Sequence, residues 1–420
     1  MLPLPGSAYP VTESAMRVGR STFKGGLDDA VHRWFRLTPS FGPALVGAMA
    51  DRFLPDGLGT VLDPFGGAAT TLIECKKRGL TSVGYEINPF LHFVGKTCLD
   101  WSLDPDKFVA ALLRTHARYH AARDAAGAAT AEQLGLELPR IFNVHRWWRA
   151  DVLRDLLLLR QAIRDEPDPQ ARDALLLALS SALVPDLTNV TLGRLQLHFI
   201  DRSEDDIAIW PAFSRRAHAI VADLRALPGG SPPATLLHVD ALQAPVPDRP
   251  DIDLVVTSPP YPNRYSYVWN TRPHLYFLGF FGGRSDGSQL DKRTIGGTWG
   301  AATTHLKKGE VTIEHPGVRA LLAPLVAELR GKDNLMANYL AKYFDMLSKQ
   351  IVRMVPRLKP GASVVYVVGN SRLKGVYVPT DTLLADAMGR LGLRTVAVER
   401  FRRRHSGKDL YESAVIAAAR

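Results

Sequence analysis

Two short stretches of this 420-residue chain carry side chains whose types and order can do chemistry. The first is Asp63-Pro64-Phe65-Gly66-Gly67-Ala68-Ala69-Thr70-Thr71, a glycine turn between an apolar run ending at Asp63 and a helical stretch. A turn of this kind lets backbone approach a ligand closely, and the helix start behind it offers free N–H groups and partial positive charge to a carboxylate or phosphate. Glu86 closes the next apolar run, where an acid can accept hydrogen bonds from both hydroxyls of a ribose. The pair describes an adenosine-type cofactor site. Taken alone, it equally fits a dinucleotide dehydrogenase or a plain tight turn.

The second stretch is Val255-Val256-Thr257-Ser258-Pro259-Pro260-Tyr261, which ends another apolar run. Two successive prolines fix φ and leave no N–H, so the chain presents carbonyl oxygens there. The amino group of a nucleobase is a poor nucleophile, because its lone pair is delocalised into the ring. Methylating it requires acceptors for its hydrogens while the nitrogen rehybridises toward sp³. The Ser258 hydroxyl and the Pro259 carbonyl are suitable acceptors, and Tyr261 can stack on an extruded base. A bare Pro-Pro-Tyr is more simply a stiff turn packing a ring. Its place directly after an apolar strand, in the same chain as the glycine turn and Glu86, favours the chemical reading.

The wording of both stretches resembles the signatures of the amino-methyltransferases that act on DNA bases. Asp63 to Thr71 resembles their DPFxGxGTT motif, Gly84-Tyr85-Glu86-Ile87-Asn88-Pro89 their ribose-binding strand end, and Ser258 to Tyr261 their (S/T)PPY motif. Further likenesses are Asn263-Arg264-Tyr265, the GGTWG at 296–300, Val368-Gly369-Asn370-Ser371 and Arg402 to Ser406, so the resemblance covers most of the chain from about residue 30. It implies S-adenosyl-L-methionine as cofactor, held by Asp63, Pro64, Phe65, Gly66, Gly67, Thr70 and Glu86. It also implies that Asp240 contacts the cofactor adenine and that Phe41, in Ser40-Phe41-Gly42-Pro43, covers its methionine part. For Asp240, a cap after a strand is an even alternative. The implied catalytic set is Ser258, Pro259, Pro260 and Tyr261. The implied partner is double-stranded DNA with a flipped target base, and a cognate restriction endonuclease is compatible with it. Serine at the head of the tetrad goes mainly with cytosine N4 in that family; adenine N6, an RNA base, or an inactive nucleic-acid-binding protein are the alternatives. Ala69 departs from the motif, standing where the last glycine is usual, and its methyl is expected to crowd the cofactor slightly.

The elements that must position these residues follow from periodicity. Apolar runs at 60–65, 80–89, 234–241, 251–261, 361–371, 393–401 and 412–419 alternate with helical stretches, which argues a mostly parallel sheet covered on both faces. The expected fold class is α/β, a Rossmann-like methyltransferase fold with a large helical insertion. The expected organisation is an arm and covering segment at 1–57, a cofactor-binding half at 58–103, an insertion with possible target recognition at 104–230, and a catalytic half at 231–420. Three segments are candidate phosphate or base contacts: His145-Arg146-Trp147-Trp148-Arg149, the Gly282–Glu310 region, and Arg400 to His405. For the tryptophan pair, burial in the core is the stronger expectation. His32, Arg33, Trp34 and Arg36 suit either packing or phosphate.

A net charge of +10 draws the chain toward a polyanion. No apolar stretch reaches the roughly 20 residues of a spanning helix, and the first residues lack a secretion signal, so a cytoplasmic location is expected. Cys75 and Cys98 form no metal set, and neither follows a proline as a cytosine-C5 nucleophile would, so reduced structural thiols without zinc are expected.

Overall fold

Runs rich in Val, Ile and Leu become strands when both faces of a sheet are covered, because such residues fit a pleated, buried surface. The computed structural model describes residues 9–13, 26–193, 196–228, 230–297, 301–307, 309–404 and 410–420. Its strands are β1 (Val11–Glu13), β2 (Thr60–Asp63), β3 (Thr81–Tyr85), β4 (Val190–Leu192), β5 (Leu197–Phe199), β6 (Ala234–Leu237), β7 (Ile252–Thr257), β8 (Leu358–Gly369), β9 (Ser371–Leu373), β10 (Val376–Val378), β11 (Arg394–Arg403) and β12 (Tyr411–Ala418). The run expected at 234–241 stops at Leu237, because Asp240 turns the chain by accepting the Leu242 N–H.

Eight strands form one sheet in the order β1-β11-β12-β8-β7-β2-β3-β6. Neighbours run parallel except for β12, which lies antiparallel between β8 and β11. From β2 the chain builds outward through β3 and β6, then returns to β7 on the other side of β2 and builds through β8. The order therefore reverses between β2 and β7, and in open α/β sheets a ligand crevice lies outside the carboxyl ends of the strands at that point. This is the Rossmann-like methyltransferase fold, α/β, with a mostly parallel sheet and a large helical insertion.

Period-two alternation divides the sheet residues between its faces. Val61, Leu254, Val256, Val365 and Ile416 pack with Leu45, Val46 and Met49 of the helix Pro43–Phe53. Leu62, Val255, Val364 and Tyr366 pack instead with Phe344 and Leu347 of the helix Asn334–Met354. Val11–Glu13, in the segment expected to be a draping arm, adds a parallel edge strand to β11.

The insertion comprises the helices Pro105–Ala126, Val144–Trp147, Ala150–Arg164, Pro169–Leu183 and Ile209–Ala226, with an unexpected β4–β5 hairpin. Asp104 and Asp168 cap their helices by accepting N–H groups two and three residues on. Its leucines share one core with Leu72, Phe90 and Val94 and with Leu236 of β6. Trp147 and Trp148 lie in this core. Asp223, buried on the Ile209–Ala226 helix, accepts from the Val31 amide, Arg33 and Trp34, while His32 bonds Glu74 at 2.8 Å. Those N-terminal residues are packing groups. Among the described residues, no helix is long and apolar enough to cross a membrane.

Two side chains tie the central strands at their carboxyl ends. The Thr257 hydroxyl donates to Asp63 Oδ1 at 2.6 Å, and the Thr71 hydroxyl donates to the Val256 carbonyl at 3.3 Å. Replacing Thr257 by the isosteric valine strands part of a buried carboxylate. Thr257→Val is therefore expected to cost about 1–3 kcal/mol, read as a lower urea midpoint at unchanged slope. An unchanged midpoint would show that the tie is energetically idle.

Candidate functional site

The carboxyl ends of β2, β3, β6 and β7 open on a cleft with about 920 Å³ of empty space, its open mouth included. Asp63, Pro64, Phe65, Gly66, Gly67, Thr70, Glu86, Asp240 and Phe41 all line it, together with Ser258 and Pro260. Pro259 and Tyr261 stand beside the cleft and do not line it.

The loop after β2 is shaped by its backbone. Gly66 donates to the Tyr85 carbonyl at 2.8 Å, and Gly67, at φ +53°, turns its N–H to Glu86 Oε2 at 2.8 Å. Glu86 Oε1 accepts from the Asn88 amide at 2.7 Å, and Asn88 in turn caps the helix Pro89–Leu99. Only 9% of Glu86 is exposed. Burial pushes its carboxyl up to about 7, against the pull of the Asn88 and Gly67 amides and with a further upward push from Asp63. Two amides leave unused lone pairs on a carboxylate, so Glu86 retains acceptor capacity toward the cleft.

Asp63 is 1% exposed and also accepts from the Phe65 amide at 3.0 Å. Burial raises its carboxyl, with the Thr257 hydroxyl pulling the other way. Its oxygen contacts brace the loops. Asp240 divides its oxygens: Oδ1 caps the turn at Leu242, and Oδ2 lies 3.7 Å from the Arg293 guanidinium at the cleft wall. It combines the cap with a place on the cleft.

Leu37, Pro39, Ser40 and Phe41 form part of the cleft wall and are clamped from the catalytic side. Tyr265 donates to the Thr38 carbonyl, and Tyr267 donates to the Pro39 carbonyl at 3.0 Å. Burial pushes both phenols up, so they remain protonated donors. Sequence reasoning passed over Tyr267 and Arg293. The Tyr265-x-Tyr267 alternation right after the tetrad was a usable signal for the first, and nothing local marked the second.

The Ser258 hydroxyl donates to the Val367 carbonyl of β8 at 3.1 Å, leaving its lone pairs to accept. The Tyr261 ring lies against Gly369, where a Cβ would stand 2.8 Å from Cδ2 and Cε2. Burial pushes the Tyr261 phenol well up.

The structure qualifies three expectations. Ala69 does not line the cleft: it is fully buried, and its methyl sits beside Gly95 in the core. The cost of losing the glycine is a left-handed backbone at φ +66°, worth roughly 1–2 kcal/mol, and not a crowded cofactor. Part of the basic cluster from Arg400 is paired within the fold. Arg400 pairs with Asp381 at 3.0 Å, Arg402 with both oxygens of Glu412, and Arg403 lies 3.6 Å from Glu13; His405 and Ser406 lie outside the described residues. The Gly282–Glu310 region, offered as a loop, carries the helices Asp286–Arg293 and Ala301–Lys307, and Lys342 holds the Gly297 carbonyl at 3.1 Å. Residues 298–300 of the GGTWG stretch lie outside the described residues. Cys75 and Cys98 are buried away from the cleft, and burial pushes the Cys75 thiol up to about 12.

No protein-family profile matches the chain. It is 31% identical over 71 residues to the Type II methyltransferase M.BsoBI of Geobacillus stearothermophilus, covering 17% of this chain and 14% of that protein. It is 21% identical over 345 residues to the Type II methyltransferase M.MvaI of Kocuria varians, covering 77% of this chain and 73% of that one. The rRNA methyltransferase aviRa from Streptomyces viridochromogenes aligns over 90% of this chain and 86% of its own, at 13% identity and a TM-score of 0.30. The sequence similarities support a methyltransferase activity.

Because the Glu86 carboxyl is raised, the folded protein holds its proton more tightly than the unfolded chain. The stability this contributes is full below the ordinary carboxylate range and is lost as pH rises through about 7. Between pH 5 and 8 the unfolding free energy of the wild type should therefore fall more steeply than that of Glu86→Gln. Parallel profiles would contradict a raised Glu86.

Proposed function

We propose that this chain transfers the methyl group of S-adenosyl-L-methionine to an exocyclic amino nitrogen of a nucleic-acid base, with N4 of cytosine in double-stranded DNA as the preferred target. The observation that carries the reading is the meeting of two loops. The glycine turn after β2 lines one cleft with Ser258 and Pro260 of the tetrad after β7, and the Asp63–Thr257 hydrogen bond braces the two loops together.

The cleft fits the cofactor. Glu86 offers carboxylate acceptors for a ribose diol, while Phe41, Phe65, Ile87 and Leu242 supply apolar walls for the base and the thioether chain. Asp240 adds an acid at the far wall for an adenine amino group. When bound, the sulfonium supplies an electrophilic methyl group.

The protein's own part is positioning. The tie to Val367 orients Ser258 so that its oxygen accepts one amino hydrogen of the target. The Pro259 carbonyl, on a turn with no N–H to compete, accepts the other. Tyr261 stacks on the extruded base. The nitrogen becomes acidic once methylated, so its surplus proton leaves to water without a strong base. The covering segment, held by Tyr265 and Tyr267, excludes water from the sulfonium. DNA approaches a chain of net charge +10, and a cognate restriction endonuclease is a partner compatible with this activity.

Digestion and mass spectrometry of DNA from a methylation-deficient host expressing the protein test the reading. N4-methylcytosine is expected with the wild type and absent with the Ser258→Ala Tyr261→Ala double variant. N6-methyladenine would move the target base. Soluble protein that binds the cofactor yet leaves DNA unmarked would overturn the DNA assignment in favour of RNA or a non-catalytic role. Cofactor affinity should also depend on pH, since an ionised Glu86 is needed to accept both ribose hydroxyls. In calorimetric titrations Kd should rise as pH falls below about 7, approaching tenfold per unit. A flat profile from pH 8 to 6 would remove Glu86 from ribose binding.

A further inference from the structure

Arg404 follows β11 at the end of the basic cluster, but its contacts differ from those of Arg400, Arg402 and Arg403. Its Nη1 donates to the Asn370 carbonyl at 2.9 Å, at the carboxyl end of β8, and its Cζ lies 5.7 Å from the centroid of the Tyr261 ring. Its backbone amide donates to the Leu410 carbonyl at 2.7 Å, joining the ends of β11 and β12. Gly369 completes the group. A Cβ there would stand 2.8 Å from two Tyr261 ring atoms and 3.2 Å from Arg404 Nη1, so glycine, guanidinium and ring crowd one point.

We infer that Arg404 is the positioning residue of Tyr261: its guanidinium, pinned to Asn370, and the bare backbone of Gly369 together back the ring as a preformed platform for the target base. The inference rests on the methyl-transfer reading. A planar cation attracts the negative face of a phenol ring, and its second anchor, the Asn370 carbonyl, directly follows the strand that also orients Ser258 through Val367. The acceptor oxygen and the stacking ring are thereby referenced to one strand, β8. A lysine keeps the charge but loses the fork that spans carbonyl and ring.

The test uses full-length protein, DNA from a methylation-deficient host and tritiated S-adenosyl-L-methionine. Arg404→Ala and Arg404→Lys should each lower kcat by about tenfold or more, because small misplacements at a reacting centre are costly, while KM for the cofactor stays within about twofold. Arg403→Ala, one residue away and directed at Glu13 and the Tyr411 ring instead of Tyr261, should match the wild type. A second readout needs no activity: with 3-fluorotyrosine incorporated, the ¹⁹F resonance lost in Tyr261→Phe should shift in Arg404→Ala, in Arg404→Lys and in Gly369→Ala. Wild-type kcat together with an unmoved resonance in the arginine variants would overturn the inference. If the wild type methylates nothing, the methyl-transfer reading fails, and the resonance alone decides whether Arg404 sets the ring.

Discussion

The hydrogen bond from Thr257 to Asp63 is the constraint on which the site depends. β2 and β7 are neighbours in space and far apart in sequence, and their paired residues stop at Leu62 and Val255, before either loop begins. Beyond that point backbone pairing no longer holds them together. A side-chain bond of 2.6 Å between buried partners takes over there. Burying a carboxylate is costly unless its oxygens are paired, and Asp63 meets that cost with the Thr257 hydroxyl and the Phe65 amide. An acid at the head of the glycine loop thus serves the geometry of the loop and of its neighbour together.

Glu86 repeats the device one strand over. Its two oxygens take the amide of Gly67, in the loop after β2, and that of Asn88, at the start of the next helix. The loop, the end of β3 and the helix cap are therefore one hydrogen-bonded unit. Like Asp63, Glu86 sits where burial outweighs its donors, and the Glu86 carboxyl is raised to about 7. A group held in that state gains from further donors, which is the property a diol-binding carboxylate needs. The two acids divide the work by position: Asp63 braces the loops after β2 and β7, while Glu86 keeps acceptor capacity toward the cleft.

Much of this was legible in the sequence, because strands buried on both faces leave apolar runs and the loops that follow them carry distinctive residue orders. The runs at 60–65, 80–89 and 251–261 appear as the shorter strands β2, β3 and β7, and most residues singled out near their ends lie around one cleft. What was not legible involved partners distant in sequence. That Thr257 would bond Asp63, that Tyr267 would hold the covering segment through Pro39, or that Arg293 would reach the cleft opposite Asp240 depends on packing that no local pattern encodes. Ala69 misled for a related reason. Motif order identifies the position, but only the left-handed turn shows that its methyl points into the core.

The arginines carry the same lesson into electrostatics. A run of basic residues reads as a phosphate contact only while its acids are out of view. In the fold, Arg400 meets Asp381 across 19 residues of sequence and Arg402 meets Glu412 across 10, so two cations of the segment are paired with acids while Arg403 stays exposed. The surplus of basic side chains, 52 against 42 acidic ones, is larger than the arginines of that segment can supply, so most of it lies elsewhere in the chain. A diffuse positive field raises the encounter rate with a polyanion without choosing a register. Register has to come from directional contacts near the cleft, and around the tetrad those are built on β8: Val367 for Ser258, Gly369 for Tyr261, and Asn370 for the one arginine of the cluster that faces the ring.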